Sequence, residues 1–210
     1  DSVESVNQRL SHNTVVMQIP NGQAGDFAGI VDLVKMKYYT FSGQMGTVVT
    51  EGEIPGELLT KAQELREKLI DTVSSFDDDL AMAYLDGQEI SEEMIKKAVR
   101  AGVVSNKLYP IFCGSSLGNK GVQLLLDAVT DYLPSPLDRG EIIGTDPDDD
   151  SKELKRTADD NQPSTAVAFK ILNDPFVGTL TYVRVYSGVI KTGDKLLNTV
   201  TGQEERVGRL

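Results

Sequence analysis

The sequence predicts an α/β domain followed by part of an antiparallel β-barrel. Up to about residue 140, amphipathic helical patterns are interspersed with short stretches rich in β-branched residues. Within this part, residues 108–133 have the pattern of a strand, a loop of small residues and a helix, which is half of a nucleotide-binding βα unit. From residue 164 onward there are only closely spaced strand patterns with turn signals, which is typical of an antiparallel sheet or barrel.

Residues 1–107 are predicted to hold strands followed by three helices. The first ten residues have the pattern of the end of an amphipathic helix, and strand and turn signals follow them. A long helix is predicted after Pro55, a short one over Asp78–Leu85, and a third that Ser91 caps and Gly102 ends. The long helix has apolar residues at steps of three and four, which are Leu58, Ala62, Leu65, Leu69, Val73 and Phe76.

Residues 108–140 form the predicted strand-loop-helix unit. The strand covers residues 108–113, the loop has the sequence CGSSLGNKG, and Pro134 and Pro136 end the helix that follows. An apolar stripe runs along this helix and consists of Val122, Leu125, Leu126, Val129 and Leu133. Ligands of open α/β sheets lie at the carboxyl ends of the strands, so the loop is the first candidate for a binding site.

Residues 141–163 are predicted to be an acidic linker or exposed loop, because this stretch is too polar to pack a core. Residues 164–210 are predicted to be the first part of the barrel, with turns at 173–175, 191–194 and 201–202. A barrel needs more strands than these to close and hide its edges. Because the opening helix also starts in mid-pattern, we expect the chain to be an internal fragment of a longer protein.

Composition excludes several classes of protein. The net charge of −11 argues against general neutralisation of nucleic-acid phosphates, which requires clustered Lys and Arg. A single cysteine, Cys113, and a single histidine, His12, allow neither an internal disulfide nor a zinc site of the usual spacing. The single cysteine favours a reducing, cytoplasmic setting. With no leader pattern and no apolar run of about 18 residues, we expect no membrane association. We also expect a monomer.

The loop CGSSLGNKG has three interpretations. A phosphate-binding P-loop requires a Gly, four intervening residues and then Gly-Lys-Ser/Thr. After Gly114 and four residues, this chain has Asn119-Lys120-Gly121 instead. A guanine-reading Asn-Lys-x-Asp loop requires an Asp where Val122 stands. The third interpretation is a small-residue loop, Ser115-Ser116-Leu117, whose backbone N–H groups can approach a base closely. On spacing alone, a simple strand-to-helix turn remains the alternative.

Longer stretches resemble the bacterial elongation factor G family of ribosomal translocase GTPases. The stretch FCGSSLGNKGVQLLLDAVTDYLPSPLD (112–138) resembles the end of the family's GTPase domain. The stretch AFKILNDPFVGTLTYVRVYSGVIKTGDKLLN (168–198) resembles the start of its second domain, a β-barrel. Upstream, VVMQIPNGQAGDFAGIVDLVKMKYYTF (15–41) is similar to the entry into a subdomain inserted in the GTPase domain. The resemblance covers nearly the whole chain in the family's order.

The resemblance assigns an identity to each segment. Residues 1–107 correspond to the end of a GTPase-domain helix and the inserted α+β subdomain, and residues 108–140 to the closing βα unit of a P-loop GTPase domain. Residues 141–163 remain the acidic linker, and residues 164–210 correspond to the start of the barrel. The acidic helix after Pro55 is implied to meet the ribosomal stalk protein, and the barrel to face ribosomal RNA.

The resemblance also implies which residues bind nucleotide. Ser115, Ser116 and Leu117 match the family's fifth guanine-nucleotide motif, in which the second residue donates its backbone N–H to the guanine oxygen. Ser116 stands where Ala is usual, and a backbone contact tolerates this change. The implied ligand is GTP or GDP, with Mg²⁺ held by residues outside these 210. We predict no metal ligands and no catalytic residues in the chain.

The predicted function is that of a translational GTPase that promotes GTP-dependent movement of tRNA and mRNA on the ribosome during elongation. The 210 residues contain no P-loop, no Asp-x-x-Gly switch motif and no Asn-Lys-x-Asp motif. Since phosphoryl transfer depends on those groups, the fragment alone is not expected to hydrolyse GTP. The alternative is a ribosome-binding module or diverged recycling- or resistance-type paralogue that does not hydrolyse GTP.

Overall fold

The computed structural model describes residues 2–10 and 13–210, and the chain forms two compact units, Asp1–Leu133 and Pro134–Leu210. His12, for which the sequence shows no catalytic partner, lies outside the described residues. Within the described residues, no helix is both long enough and apolar enough to cross a membrane. The mixture of helices and open sheets agrees with the predicted α/β class.

The first unit contains five helices and six strands among its described residues. The helices are α1 (Ser2–Arg9), α2 (Gly56–Ser74), α3 (Asp78–Leu85), α4 (Glu92–Val104) and α5 (Val122–Tyr132). The strands are β1 (Thr14–Val16), β2 (Gln18–Asn21), β3 (Gly29–Asp32), β4 (Lys37–Ser42), β5 (Val48–Gly52) and β6 (Tyr109–Ile111). Two 3₁₀ turns, Ala24–Asp26 and Gln44–Gly46, connect strands within the sheet formed by β2 to β5.

These strands form two sheets of different kinds. β1 and β6 pair in parallel, with Val15 opposite Pro110. β2, β3, β4 and β5 form an antiparallel meander in chain order, here called the insert sheet. β3 is buried on both faces and lies at the centre of the core. The largest fully buried side chains of the core are Met17, Ile30, Leu33, Leu69, Leu80, Ile95 and Leu108.

The helices of the first unit begin where the sequence predicts. α2 buries Ala62, Leu69 and Val73 of the predicted apolar stripe, and the rest of the stripe packs partly buried against the core. α3 has the predicted bounds, and the Asp77 carboxylate caps it by accepting a 3.0 Å hydrogen bond from the amide of Leu80. The Ser91 hydroxyl caps α4 in the same way.

The prediction that Gly102 ends a helix is wrong. α4 continues to Val104, and Gly102 is a buried helical residue within it. A Cβ atom built there would lie 2.8 Å from the Cβ of Leu108 and 3.1 Å from the Phe76 ring. Gly102 is therefore a close-packing position, because a larger residue would separate the helix from the chain that enters β6.

The apolar stripe predicted on α5 is largely exposed in the described residues. Leu126 is 61% exposed, and Leu125, Val129 and Leu133 are each more than two-fifths exposed. α5 instead buries Ala128 and Tyr132, whose ring stacks on Phe112 at a centroid distance of 6.2 Å. The stripe thus lies away from the core that the described residues provide.

The second unit consists of three antiparallel hairpins. They pair β7 (Ile142–Asp146) with β8 (Asp149–Arg156), β9 (Thr165–Asp174) with β10 (Gly178–Ser187), and β11 (Lys195–Asn198) with β12 (Gln203–Arg206). The last two hairpins confirm the strands predicted after residue 164. Within the described residues the three sheets remain separate two-stranded sheets.

The segment 141–163, predicted as a linker or loop, contains the β7–β8 hairpin. None of its described residues is buried, as expected from its polarity. The pairing is supported instead by ion pairs across the hairpin, 2.6 Å from Lys152 to Asp146 and 3.2 Å from Lys155 to Glu141. Polar composition identified the exposure of this segment but not its strands, since cross-strand charge pairs stabilise a hairpin without a core.

Candidate functional site

The loop between β6 and α5 lies where α/β folds place ligands. β6 runs parallel to β1, and the loop begins directly after its carboxyl end. The amide of Met17 donates a 3.0 Å hydrogen bond to the carbonyl of Ile111, and the amide of Cys113 lies 3.4 Å from the Gln18 side-chain oxygen that accepts from it. These contacts fix the start of the loop against the strand pair.

The loop closes on itself at Ser115 and Lys120. The amide of Ser115 donates to the carbonyl of Lys120 at 2.8 Å, and the amide of Lys120 donates back at 3.0 Å. Between them, the amide of Asn119 donates to the carbonyl of Ser116 at 3.1 Å, which forms a tight turn. Four residues, 116–119, therefore form the tip, and Leu117 is 90% exposed on it.

Three backbone donors at the tip are unused. Within the part of the chain that the structure describes, the amides of Ser116, Leu117 and Gly118 donate no hydrogen bond to protein. Ser116 and Leu117 are exposed, and Gly118 is partly buried. Adjacent free amides on a small-residue turn suit an oxygen acceptor such as a carbonyl. The three predicted site residues, Ser115, Ser116 and Leu117, thus occur together as the closing residue and the tip of one turn.

Gly121 makes the transition from loop to helix. Its φ of +84° lies in the left-handed region, and a Cβ atom there would lie 2.6 Å from the Cδ1 of Ile30. Both constraints require glycine at this position. α5 then begins at Val122 without a side-chain cap.

Lys120 does not serve as a phosphate-binding residue in this structure. Its ammonium donates a 2.9 Å hydrogen bond to the carbonyl of Phe27, and it lies 5.8 Å from the centre of the Phe27 ring. α5 begins two residues later, at Val122, so Lys120 belongs to the loop and not to the helix. Lys120 instead ties the loop to the insert sheet across 93 residues of sequence, a contact that has no sequence signal.

A second contact joins the insert sheet to the loop. Gly46 is buried at φ +60°, and a Cβ atom built on it would lie 2.8 Å from the carbonyl oxygen of Gly118 and 3.0 Å from that of Asn119. From α5, the Gln123 side-chain amide donates to the carbonyl of Gly46 at 3.3 Å. The 3₁₀ turn Gln44–Gly46 is thus packed directly against the loop tip.

The Cys113 thiol at the start of the loop is a poor nucleophile. Burial raises the pKa of the Cys113 thiol to about 11, so the thiol is neutral and a poor nucleophile near neutral pH. Among the described residues there is no group of three His, Cys, Asp or Glu side chains that could hold a metal ion. The loop therefore offers backbone donors and no reactive side chain.

A separate cleft of about 340 Å³ lies between the end of β3, α4 and α5, and its lining does not include the loop. Three of its charged groups, Asp32, Lys96 and Asp131, already have partners. Lys96 bonds to Glu92 at 2.9 Å and to Asp131 at 3.0 Å. The Asp32 carboxylate accepts hydrogen bonds from the amides of Val34 and Lys35, and burial raises its pKa. These contacts describe a structural cluster.

Comparison with known proteins provides a family signal in the second unit. Residues 178–210 match the family model described as elongation factor Tu domain 2. The match lies within the second unit, at the end of the chain. The chain is also similar to the crystal structure of a Thermus thermophilus protein designated ttk003000868, with 27% sequence identity and a TM-score of 0.74. That similarity covers 98% of this chain and 27% of the length of the other.

Proposed function

We propose that these residues are part of an elongation factor G-type translational GTPase, and that Ser115-Ser116-Leu117 contacts the guanine edge of its nucleotide. The observation that carries the proposal is the pair of unused amides at Ser116 and Leu117, on an exposed turn after a parallel strand. The elongation factor Tu domain 2 match supports the class of protein, and the resemblance of residues 112–138 supports the position of the base.

The geometry favours guanine over adenine. Guanine carries an acceptor oxygen at position 6, where adenine carries an amino donor. The Ser116 N–H donates to the oxygen but would face a second donor in adenine. Leaving a donor unpaired costs about 1–3 kcal/mol, which corresponds to about a 5- to 150-fold difference in affinity. Because the contact comes from the backbone, the Ser116 side chain is not needed for it.

The remaining parts of the nucleotide site belong to other residues of the parent protein. We assign the Mg²⁺ ligands to those other residues, because among the described residues no group of three His, Cys, Asp or Glu side chains could hold a metal ion. We assign hydrolysis, and the tRNA and mRNA translocation that it drives, to the complete protein. Its proposed partners are ribosomal RNA and the stalk protein. We propose a cytoplasmic monomer with no membrane contact.

The reading frame around the 210 residues tests the class of protein. We expect a P-loop, an Asp-x-x-Gly switch motif and an Asn-Lys-x-Asp motif to be encoded upstream of Asp1, and further barrel strands to be encoded downstream of Leu210. Absence or mutation of these motifs would contradict a hydrolysing translocase and would favour the non-hydrolysing ribosome-binding module.

Base analogues test the proposed contact. GDP and 6-thioguanosine diphosphate differ only at the 6-position, where the analogue carries sulfur, a much weaker hydrogen-bond acceptor, in place of the oxygen. We expect the complete protein to bind GDP at least about tenfold more tightly, consistent with the loss of one hydrogen bond. Ser116→Ala should retain this preference, because it keeps the backbone N–H. Equal affinity for the two nucleotides would refute the assignment of Ser116.

A further inference from the structure

The insert sheet touches the loop through two independent contacts. One is the Lys120 ammonium on the carbonyl and ring of Phe27, which precedes β3. The other is the 3₁₀ turn Gln44–Gly46, which connects β4 to β5 and packs on the backbone of Gly118 and Asn119. Both contacts lie on the loop that carries the free amides, and neither uses those amides as donors.

We propose that the insert sheet sets guanine affinity by holding the loop tip in position, with Lys120 and Gln123 as the positioning residues. The inference rests on the proposed function of the loop. It adds a specific mechanical link: the sheet determines where the Ser116 N–H points, so the sheet determines how firmly the base is held.

Lys120 acts at the closing pair of the loop. Its backbone is bonded in both directions to Ser115, the residue that immediately precedes the Ser116 donor. Its side chain is bonded to Phe27. A displacement of the segment around Phe27 is therefore transmitted through one side chain and one backbone pair to the guanine contact. The ammonium is partly buried in this contact, so removing it leaves the Phe27 carbonyl without this donor.

Gly46 and Gln123 act on the other side of the tip. The backbone of Gly46 lies so close to the carbonyl oxygens of residues 118 and 119 that no side chain fits between them. Gln123 holds Gly46 in this place from the first turn of α5. The tip is thus confined by backbone contact, and Gln123 stabilises the confining turn without bonding to the tip amides.

The test measures nucleotide dissociation from the complete protein by stopped flow, with fluorescent derivatives of GDP and of 6-thioguanosine diphosphate. Lys120→Met removes the donor and keeps a side chain of similar length. We expect it to speed GDP release about tenfold, as loss of one hydrogen bond does, and to change release of the analogue less than about twofold. Lys120→Arg can still donate to the Phe27 carbonyl, so its GDP release rate should lie close to that of the unmodified protein.

Lys61→Met is the matched control, because Lys61 is exposed on α2 and makes no side-chain hydrogen bond or ion pair with the described residues. It should leave both release rates unchanged. Gln123→Leu removes the donor to Gly46 and should act in the same direction as Lys120→Met. It also carries the test if Lys120→Met does not fold, as judged by circular dichroism and thermal melting.

The outcomes separate this inference from the proposed function. If the unmodified protein does not discriminate GDP from the analogue, the proposed base contact fails, and the positioning role fails with it. If the unmodified protein discriminates but the folded variants speed release of both nucleotides equally, the residues are merely structural and the inference is overturned. Unchanged release of both nucleotides in the folded variants also overturns it.

Discussion

Gly102 offers a stringent test of packing in the first unit. Replacement of a helical glycine by alanine removes the backbone freedom of glycine, which favours the folded state by about 1 kcal/mol in a helix interior. In this structure the added methyl group would lie 2.8 Å from the Cβ of Leu108. That atom is fixed to the backbone and cannot rotate away, so the helix and the start of β6 must separate.

The expected magnitude follows from these opposing terms. Overpacking in a close-packed core costs about 1–3 kcal/mol, and an obstructing Cβ places this site near the upper end. After subtraction of the gain in helix propensity, Gly102→Ala should lower the free energy of unfolding by about 2 kcal/mol. Gly56→Ala is the matched control, because Gly56 also lies in a helix and nothing lies within 4 Å of its added Cβ. It should be neutral or stabilising by about 0.5 kcal/mol.

Urea unfolding followed by circular dichroism at the helical band measures both variants. All described α-helices belong to the first unit, so this signal reports the unit that contains Gly102. We expect Gly102→Ala to lower the midpoint with little change in slope. A Gly102→Ala protein as stable as Gly56→Ala would refute the close-packing role.

Three further predictions concern single side chains. Asp77→Ala should destabilise the first unit by about 1 kcal/mol through loss of the α3 cap, whereas Asp77→Asn should keep the cap and lose only the ion pair with Lys97. Hydrogen bonding from Lys97 lowers the pKa of Asp77, so the ionised carboxylate makes the folded protein more stable than Asp77→Asn above about pH 4. This difference in stability should disappear as the pH falls through the folded-state pKa. Thermal melts of the two proteins across this pH range measure it. Cys113 should react with a disulfide reagent at pH 8 on the order of 100-fold more slowly than a free thiol, because burial raises its pKa to about 11; a rate close to that of free cysteine would contradict this burial. Arg66→Lys should cost about 2 kcal/mol in urea unfolding, because a single ammonium cannot replace the fork that donates to the carbonyls of Leu33, Val34 and Ile90.

The helices were predictable because their signals are local. The bounds of α3 were predicted from residues 78–85 and the Asp86-Gly87 pair that follows them, and the Asp77 cap that the structure adds lies in the same short stretch. The start of α4 follows from Ser91 and its two following acidic residues in the same way. Strands after residue 164 also follow from local alternation and turns, and the structure places hairpins there.

The roles that the sequence did not predict belong to positions that depend on distant residues. Gly102 is a typical helix-ending residue by sequence, and only its contact with Leu108 and Phe76 shows that it permits close packing. Lys120 has the letters of a nucleotide motif around it, and only Phe27, 93 residues earlier, shows where its ammonium binds. Long-range contacts of this kind have no periodicity and no spacing rule, so they cannot be predicted from a single sequence.

The predicted site was only partly predictable, because its turn has a local sequence signal and its long-range contacts do not. The letters Ser115-Ser116-Leu117 indicate only that a turn of small residues follows a strand, and a plain turn satisfies that pattern equally well. Unpaired amides are common in tight turns and do not separate the two cases. The observation that does is the close contact at Gly46, where the Gln44–Gly46 turn packs against the tip so closely that only glycine fits. Confining a flexible tip lowers its conformational entropy in the folded protein. In a binding loop this confinement increases affinity, because the donors are already in place and less entropy is lost when the ligand binds. The confinement by Gly46 and Lys120 therefore favours a ligand-binding loop over a turn that only changes chain direction.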